Sequence, residues 1–117
     1  MNEPIETTIA KYIEAARAGD ASLMRDAFIT EATVRGSYGG KPVDWTLQEF
    51  CDLLAKGGPA PDLEARTAAV EVSGTAAMAR LEAVNWRGIR YTDFFVLLRR
   101  DGEWRIASKV FFAHDRA

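Results

Sequence analysis

The first half of the chain keeps a helical beat. Ile5, Ile9, Tyr12, Ile13 and Ala16 recur at i, i+4, i+7, i+8 and i+11, one apolar stripe on an amphipathic helix. Pro4 suits the first turn of that helix and Gly19 its C-terminal cap. Asp20 then caps a second, shorter helix that turns Leu23, Met24, Ala27 and Phe28 inward. The join is short, so the two helices are expected to be packed neighbours. Glu31 to Gly36 alternates weakly, and Thr33 and Val34 favour a strand. Gly39-Gly40 signals a turn, which leaves 37–44 as a small hairpin or an irregular loop. Thr46-Leu47-Gln48-Glu49 has the form of a capping box. The helix it opens carries Leu47, Phe50, Cys51 and Leu54 on one face, and Gly57-Gly58-Pro59-Ala60-Pro61 ends it.

After Asp62 the period changes to 2. Strands are predicted near 63–73, 76–87, 89–100 and 103–112, with breaks at Ser73-Gly74, Arg87-Gly88 and Asp101-Gly102. The last break is a strong two-residue hairpin signal. Helical segments followed by long antiparallel strands predict an α+β fold, three helices covering one face of a curved sheet, in a single domain over 1–117.

The final hairpin fixes which residues share a face. With Arg100 opposite Glu103, Tyr91, Asp93, Phe95, Leu97, Trp104, Ile106, Ser108, Val110 and Phe112 fall together and should meet the helices. The other face carries Thr92, Phe94, Val96, Leu98, Arg105, Ala107, Lys109 and Phe111. Phe94, Val96, Leu98 and Phe111 make it too apolar for solvent, which predicts a two-fold homodimer with Arg105 and Lys109 at or near the interface. In the strand before, a two-residue turn at Arg87-Gly88 would send Arg80 and Glu82 inward. A three-residue loop would send Ala77, Ala79, Leu81 and Ala83 inward, the cleaner apolar set and the preferred register.

Composition narrows the function classes. The chain is 48% hydrophobic and 27% charged with a net charge of −2, so it is neither disordered nor drawn to nucleic acid or anionic lipid by bulk charge. Residues 1–79 hold 7 basic and 12 acidic side chains and residues 80–117 hold 8 and 5. The plain account is two solvated faces; the alternative is an acidic helical layer over a basic sheet that attracts an anionic ligand. One cysteine, Cys51, excludes an intrachain disulfide and reads as a small buried apolar residue. One histidine, His114, cannot assemble an ordinary zinc site with it, so neither metal nor cofactor is expected. Met1-Asn2-Glu3-Pro4-Ile5-Glu6 lacks the basic and long apolar segments of a secretory signal, and a cytoplasmic protein is expected.

Asp93-Phe94-Phe95-Val96-Leu97-Leu98, then Asp101-Gly102-Glu103-Trp104-Arg105-Ile106 and Lys109-Val110-Phe111, resembles the C-terminal signature of the nuclear transport factor 2-like superfamily. So does the opening, with Tyr12-Ile13-Glu14-Ala15, Ala18-Gly19-Asp20, Phe28 and Ala32-Thr33-Val34. The likeness is strongest to small bacterial members of the SnoaL-like and "putative lumazine-binding" type. It implies a cone of the cystatin-like kind, a bent sheet wrapped round a helix with a pocket at its wide end, commonly dimeric through the outer sheet face. In the ketosteroid isomerase branch Tyr12 would match the oxyanion tyrosine. The general base would fall at Gly36 and the second oxyanion carboxyl at Val96, so that chemistry is not expected.

Asp93 is the candidate site residue with most chemistry, either as a general acid/base or ligand anchor or as a structural carboxylate satisfied by a backbone N–H, Tyr12 or an arginine, Arg35 or Arg80. Tyr12 and Asp93 are the candidate catalytic pair. Tyr12, Phe28, Trp45, Phe50, Trp86, Tyr91, Asp93 and Phe95 are the candidate lining of an apolar pocket for a small organic ligand. Lys109, on the opposite face, reads as a dimer-face residue rather than a Schiff-base lysine. The leading function is therefore a dimeric small-molecule-binding protein. The alternatives are a SnoaL-like isomerase, cyclase or dehydratase using Asp93 with Tyr12, and a protein-interaction module.

Overall fold

The structure, a computed structural model, describes residues 3–114, so Met1 and Asn2 of the N-terminal reading lie outside the described residues. Helix α1 spans Ile5–Ala18 and α2 spans Ala21–Asp26. Strands β1 (Phe28–Tyr38) and β2 (Lys41–Thr46) precede α3 (Leu47–Gly57), and β3 (Glu64–Ser73), β4 (Ala76–Trp86), β5 (Ile89–Arg100) and β6 (Glu103–Ala113) complete the chain. The six strands form one mixed sheet in the order β2-β1-β6-β5-β4-β3, antiparallel except where β1 runs parallel to β6. The fold is α+β, with the helices on one face of the sheet.

The local signals act as their chemistry requires. Gly19 takes φ +66° at the end of α1, and the Asp20 carboxylate accepts from the Leu23 N–H at 3.1 Å. The capping box closes in both directions: the Glu49 N–H donates to Thr46 Oγ1 at 3.1 Å and the Thr46 N–H to Glu49 Oε1 at 2.9 Å. Segment 37–44 is a hairpin, turned by Gly39 and Gly40 with φ of +59° and +78°. Phe28 was expected on α2. It is instead the first residue of β1, because α2 ends at Asp26 and the chain is already extended when it reaches the sheet.

Three antiparallel pairings slip by a residue, and an extra residue of this kind bends its strand and increases the local twist. In β3 the break lies between Thr67 and Ala69, and in β4 between Ala83 and Trp86, where Asn85 takes φ +59°. The β4 bulge resolves the two registers considered above. Trp86 faces Ile89 across Arg87-Gly88, yet Ala83 faces Tyr91, so a two-residue turn followed by an extra residue still sends Ala79, Leu81 and Ala83 into the core.

The third slip corrects the sequence reading. Leu97 faces Ile106 but Val96 faces Ser108, which leaves Ala107 unpaired. Beyond it the faces of β6 exchange. Lys109 and Phe111 point inward and are buried; Val110 and Phe112 point outward and are about half exposed. Lys109 is therefore not a dimer-face residue, and Phe111 is not part of the outer apolar patch. That patch consists of Phe94, Val96, Val110 and Phe112, with Phe94 directly opposite Val110.

The core fills the concave side. Ile5, Ile9, Tyr12, Ala15 and Ala16 of α1 meet Phe95, Leu97, Trp104 and Ile106 of the sheet. The Thr8 hydroxyl donates to the Trp104 carbonyl at 2.7 Å and ties the helix to β6. Gly36 is a point of close approach, since a Cβ there would collide with the Phe111 carbonyl and sit 2.7 Å from Phe111 Cδ1. The position matched to the ketosteroid isomerase base thus has no room for a side chain. Position 96, matched to the second oxyanion carboxyl, lies on the outer face.

Candidate functional site

Four elements converge on one buried amine. Lys109 enters from β6, turned inward by the bulge; Asp93 comes from the neighbouring β5, Tyr12 from the middle of α1 and Phe50 from α3. Lys109 is 2% exposed, Tyr12 1% and Asp93 0%. The Lys109 ammonium donates to Tyr12 Oη, and the Tyr12 hydroxyl donates to Asp93 Oδ2 at 3.2 Å. Lys109 Nζ stands 3.9 Å from Asp93 Oδ1, which has no hydrogen-bond partner among the described residues. The tyrosine thus bridges an ion pair that does not close on itself.

Aromatic rings surround the amine. Nζ lies 4.4 Å from the centroid of Phe50, 5.0 Å from Phe111, 5.1 Å from Tyr12 and 5.3 Å from Trp86. Their π faces attract a cation, while the loss of water works against it. Burial pushes the Lys109 ammonium below the ordinary lysine value, opposed by the charge of Asp93. Burial raises the Asp93 carboxyl, opposed by Lys109 and by the Tyr12 hydrogen bond. Burial, and then the charge of Asp93, raises the Tyr12 phenol well above its usual value.

Above this cluster lies a cavity of about 630 Å³. Its walls are Trp45, Phe50, Trp86, Tyr91 and Phe111, its rim includes Tyr38, Lys56 and Arg87, and Lys109 is among its lining residues. Trp45 stacks on Phe50 and Phe111, with centroids 6.4 and 5.9 Å away, and Trp86 packs against Tyr91 at 5.3 Å. A larger open groove of about 930 Å³ runs past Arg17, the 59–64 loop and the β4–β5 turn. None of the buried ionisable groups described above lines it, so the candidate site is the smaller cavity.

Of the residues expected to line a pocket, Trp45, Phe50, Trp86 and Tyr91 do so. Tyr12, Phe28, Asp93 and Phe95 do not. They form the packed layer beneath, because the side chains of Lys109 and Phe111 come between them and the opening. Tyr12 is the partner of Asp93, as one of the expected structural roles had it. The expected arginines are elsewhere: Arg35 pairs with Asp44 on the surface and Arg80 with Glu82 on the outer face. Lys109 is the residue missed. No local signal marked it: Lys109 stands between Ser108 and Val110, and the unbroken register assigned it to the wrong side. Cys51 is buried, and burial raises its thiol.

The family described as Putative lumazine-binding matches residues 1–112. Among solved structures, a nuclear transport factor 2-like protein of unknown function from Methylobacillus flagellatus superposes with a TM-score of 0.89 at 35% identity, over 94% of this chain and 89% of that one. One from Shewanella baltica, also of unknown function, gives a TM-score of 0.88 at 34% identity, over 94% and 90%. A curated relative named aldolase FrzH, from Cladobotryum sp, is 24% identical over 106 residues, 90% of this chain and 85% of that protein.

Proposed function

Because the chain belongs to the Putative lumazine-binding family of the nuclear transport factor 2-like superfamily, we propose that it binds a small planar or ring-shaped organic compound in the cavity between Trp45, Trp86 and Tyr91. One observation carries this reading: the cavity has aromatic walls and ends on a single buried ionisable group, Lys109. Apolar walls with few convergent polar atoms are how small-molecule sites combine affinity with orientation. The test is tryptophan fluorescence with a panel of bicyclic aromatic compounds, lumazine among them. Trp45 and Trp86 line the cavity, whereas Trp104 is buried away from it. Saturable quenching that is lost in Trp45→Ala supports the reading; no response to any member of the panel overturns it.

The same reading includes a cytoplasmic homodimer formed through Phe94, Val96, Val110 and Phe112, four half-exposed apolar side chains on adjacent strands. Light scattering that gives a monomer at micromolar concentration would count against the dimer. An enzymatic reading stands second. It is favoured by the unbroken hydrogen-bond chain Lys109–Tyr12–Asp93. The relative named an aldolase fits with it, since aldol chemistry acts on carbonyl compounds. Isomerisation of a simple β,γ-unsaturated ketosteroid is not expected, because the base matched to Gly36 is missing and Phe111 fills its place.

A further inference from the structure

We propose that Lys109 is a nucleophile that captures an aldehyde or ketone as a Schiff base, with Tyr12 and Asp93 moving the protons. The inference rests on the small-molecule cavity proposed above and names the class of compound that cavity takes. Three features of the geometry carry it.

The first is placement. The cavity has two lysines on its lining, Lys56 and Lys109. Lys56 is solvent-exposed at the rim. Lys109 is the buried one, 2% exposed, where a carbonyl group carried in by a flat ring would meet it. The second is the way the charges are connected. An ion pair kept only for stability gains most by closing directly. Here Nζ and Oδ1 are 3.9 Å apart, Oδ1 has no hydrogen-bond partner among the described residues, and the tyrosine hydroxyl links the amine to Oδ2. When the Lys109 proton moves to Tyr12 Oη and the Tyr12 proton to Asp93, the result is a neutral amine, a neutral phenol and a neutral carboxyl. Burial favours that form at both ends, lowering Lys109 and raising Asp93. The amine lone pair needed for attack is then available without free hydroxide. The third is the cage, since four ring faces within 4.4–5.3 Å of Nζ hold a cationic imine as well as an ammonium.

The step balances without an outside reagent. The amine nitrogen attacks the carbonyl carbon, a C–N bond forms and the carbonyl π pair moves to oxygen. One nitrogen proton passes to that oxygen, giving a neutral carbinolamine. Asp93 then delivers its proton, through Tyr12, to the carbinolamine hydroxyl. The C–O bond breaks, water leaves by the cavity mouth, and the nitrogen lone pair completes a protonated C=N. Asp93 is left as the carboxylate opposite that cation.

The probe is 2-naphthaldehyde, with 2-naphthalenemethanol as the ligand of the same frame that cannot form an imine. The full chain is incubated with the aldehyde and sodium cyanoborohydride at neutral pH, and the reduced adduct is located by intact mass and peptide mapping. The expected result is one adduct on Lys109, with Lys11, Lys41 and Lys56 unmodified. Tyr12→Phe should form it about a hundredfold more slowly while binding the alcohol unchanged; an unaltered rate overturns the proton relay. Adducts spread over Lys11, Lys41 and Lys56 with none on Lys109, while the alcohol still quenches tryptophan fluorescence, overturn the Schiff base and leave the cavity reading standing. Absence of both quenching and a Lys109 adduct overturns the two together. Lys109→Met should bind the alcohol and give no adduct. If near-ultraviolet circular dichroism shows that this variant does not fold, the wild-type map and the Tyr12→Phe rate decide the matter.

Discussion

Two carboxylates stand one step apart on the β4–β5 ladder and face opposite sides of the sheet. Glu82 pairs with Thr92 and looks outward; Asp93 pairs with Leu81 and looks inward. Burial works against the charge on both. Around Glu82 it is outweighed by hydrogen bonds from Thr92 at 2.8 Å and Arg80 and by the charges of Arg80 and Arg90, so the group is held below the ordinary glutamate value. Around Asp93 one lysine and one phenol do not suffice, and the carboxyl is raised. The contrast teaches that backbone position matters less here than supply of donors. The outer face recruits two half-exposed arginines, a threonine hydroxyl and, beyond that, His114. The inner face is closed by rings and offers two donors in series.

The sharpest way to break the comparison is to remove half of each arrangement. Asp93→Leu or Lys109→Met leaves one buried group unpartnered and should cost about 3–5 kcal/mol, with the double variant recovering most of it. Glu82→Gln should cost no more than about 1 kcal/mol, because water and Thr92 remain. Urea melts of the four variants check both statements. An equal loss at the two sites would mean that the supply of donors is not what separates them.

Next comes a single substitution on each face. Val96→Glu should dissociate the proposed dimer on light scattering while leaving monomer stability within about 0.5 kcal/mol. Leu81→Ala, on the inner face of the adjoining strand, should cost about 2–5 kcal/mol and leave assembly intact where the chain still folds.

A smaller effect tests the signs of the two shifts. In wild type the ion pair and its neutral form hold the same number of protons, so the pair adds little slope to stability near neutral pH. Lys109→Met isolates Asp93 with a raised pKa. Its native state then binds more protons than the unfolded chain, and stability should fall as pH rises from the unfolded aspartate value through the raised one. Asp93→Asn isolates Lys109 with a lowered pKa. Stability should rise with pH from that lowered value towards the ordinary lysine value. Each slope approaches about 1.4 kcal/mol per pH unit at most. Slopes of the same sign would refute the assignment.

Much of the fold was legible because its signals are local. The capping box at Thr46, the glycine turn at 39–40 and the Asp101-Gly102 hairpin each depend on a few adjacent residues. So was the partnership of Tyr12 with Asp93, since a stripe residue of α1 and an inward residue of β5 have to meet in a two-layer fold. Lys109 was not legible. Ile106-Ala107-Ser108-Lys109 contains no glycine, proline or other mark of an extra residue, and the bulge is fixed by where β1 and β5 need β6 to bend. Both possible faces beyond it are apolar, so hydrophobicity could not choose between them.

The unpaired Ala107 gives β6 two phases, one before the bulge and one after. A chain shortened by one residue at 107 would need no bulge: Ile106 would still face Leu97, Ser108 Val96 and Lys109 Phe95, and the amine would stay inside. A strand of full length with no bulge would instead present Val110 and Phe112 to the cavity and turn Lys109 and Phe111 out, with no residue substituted. Whether the cavity has an ionisable wall is thus a matter of how one extra residue is accommodated on one strand. Comparing residue types column by column across position 107 without a gap would transfer a lysine from the inside of one protein to the outside of another.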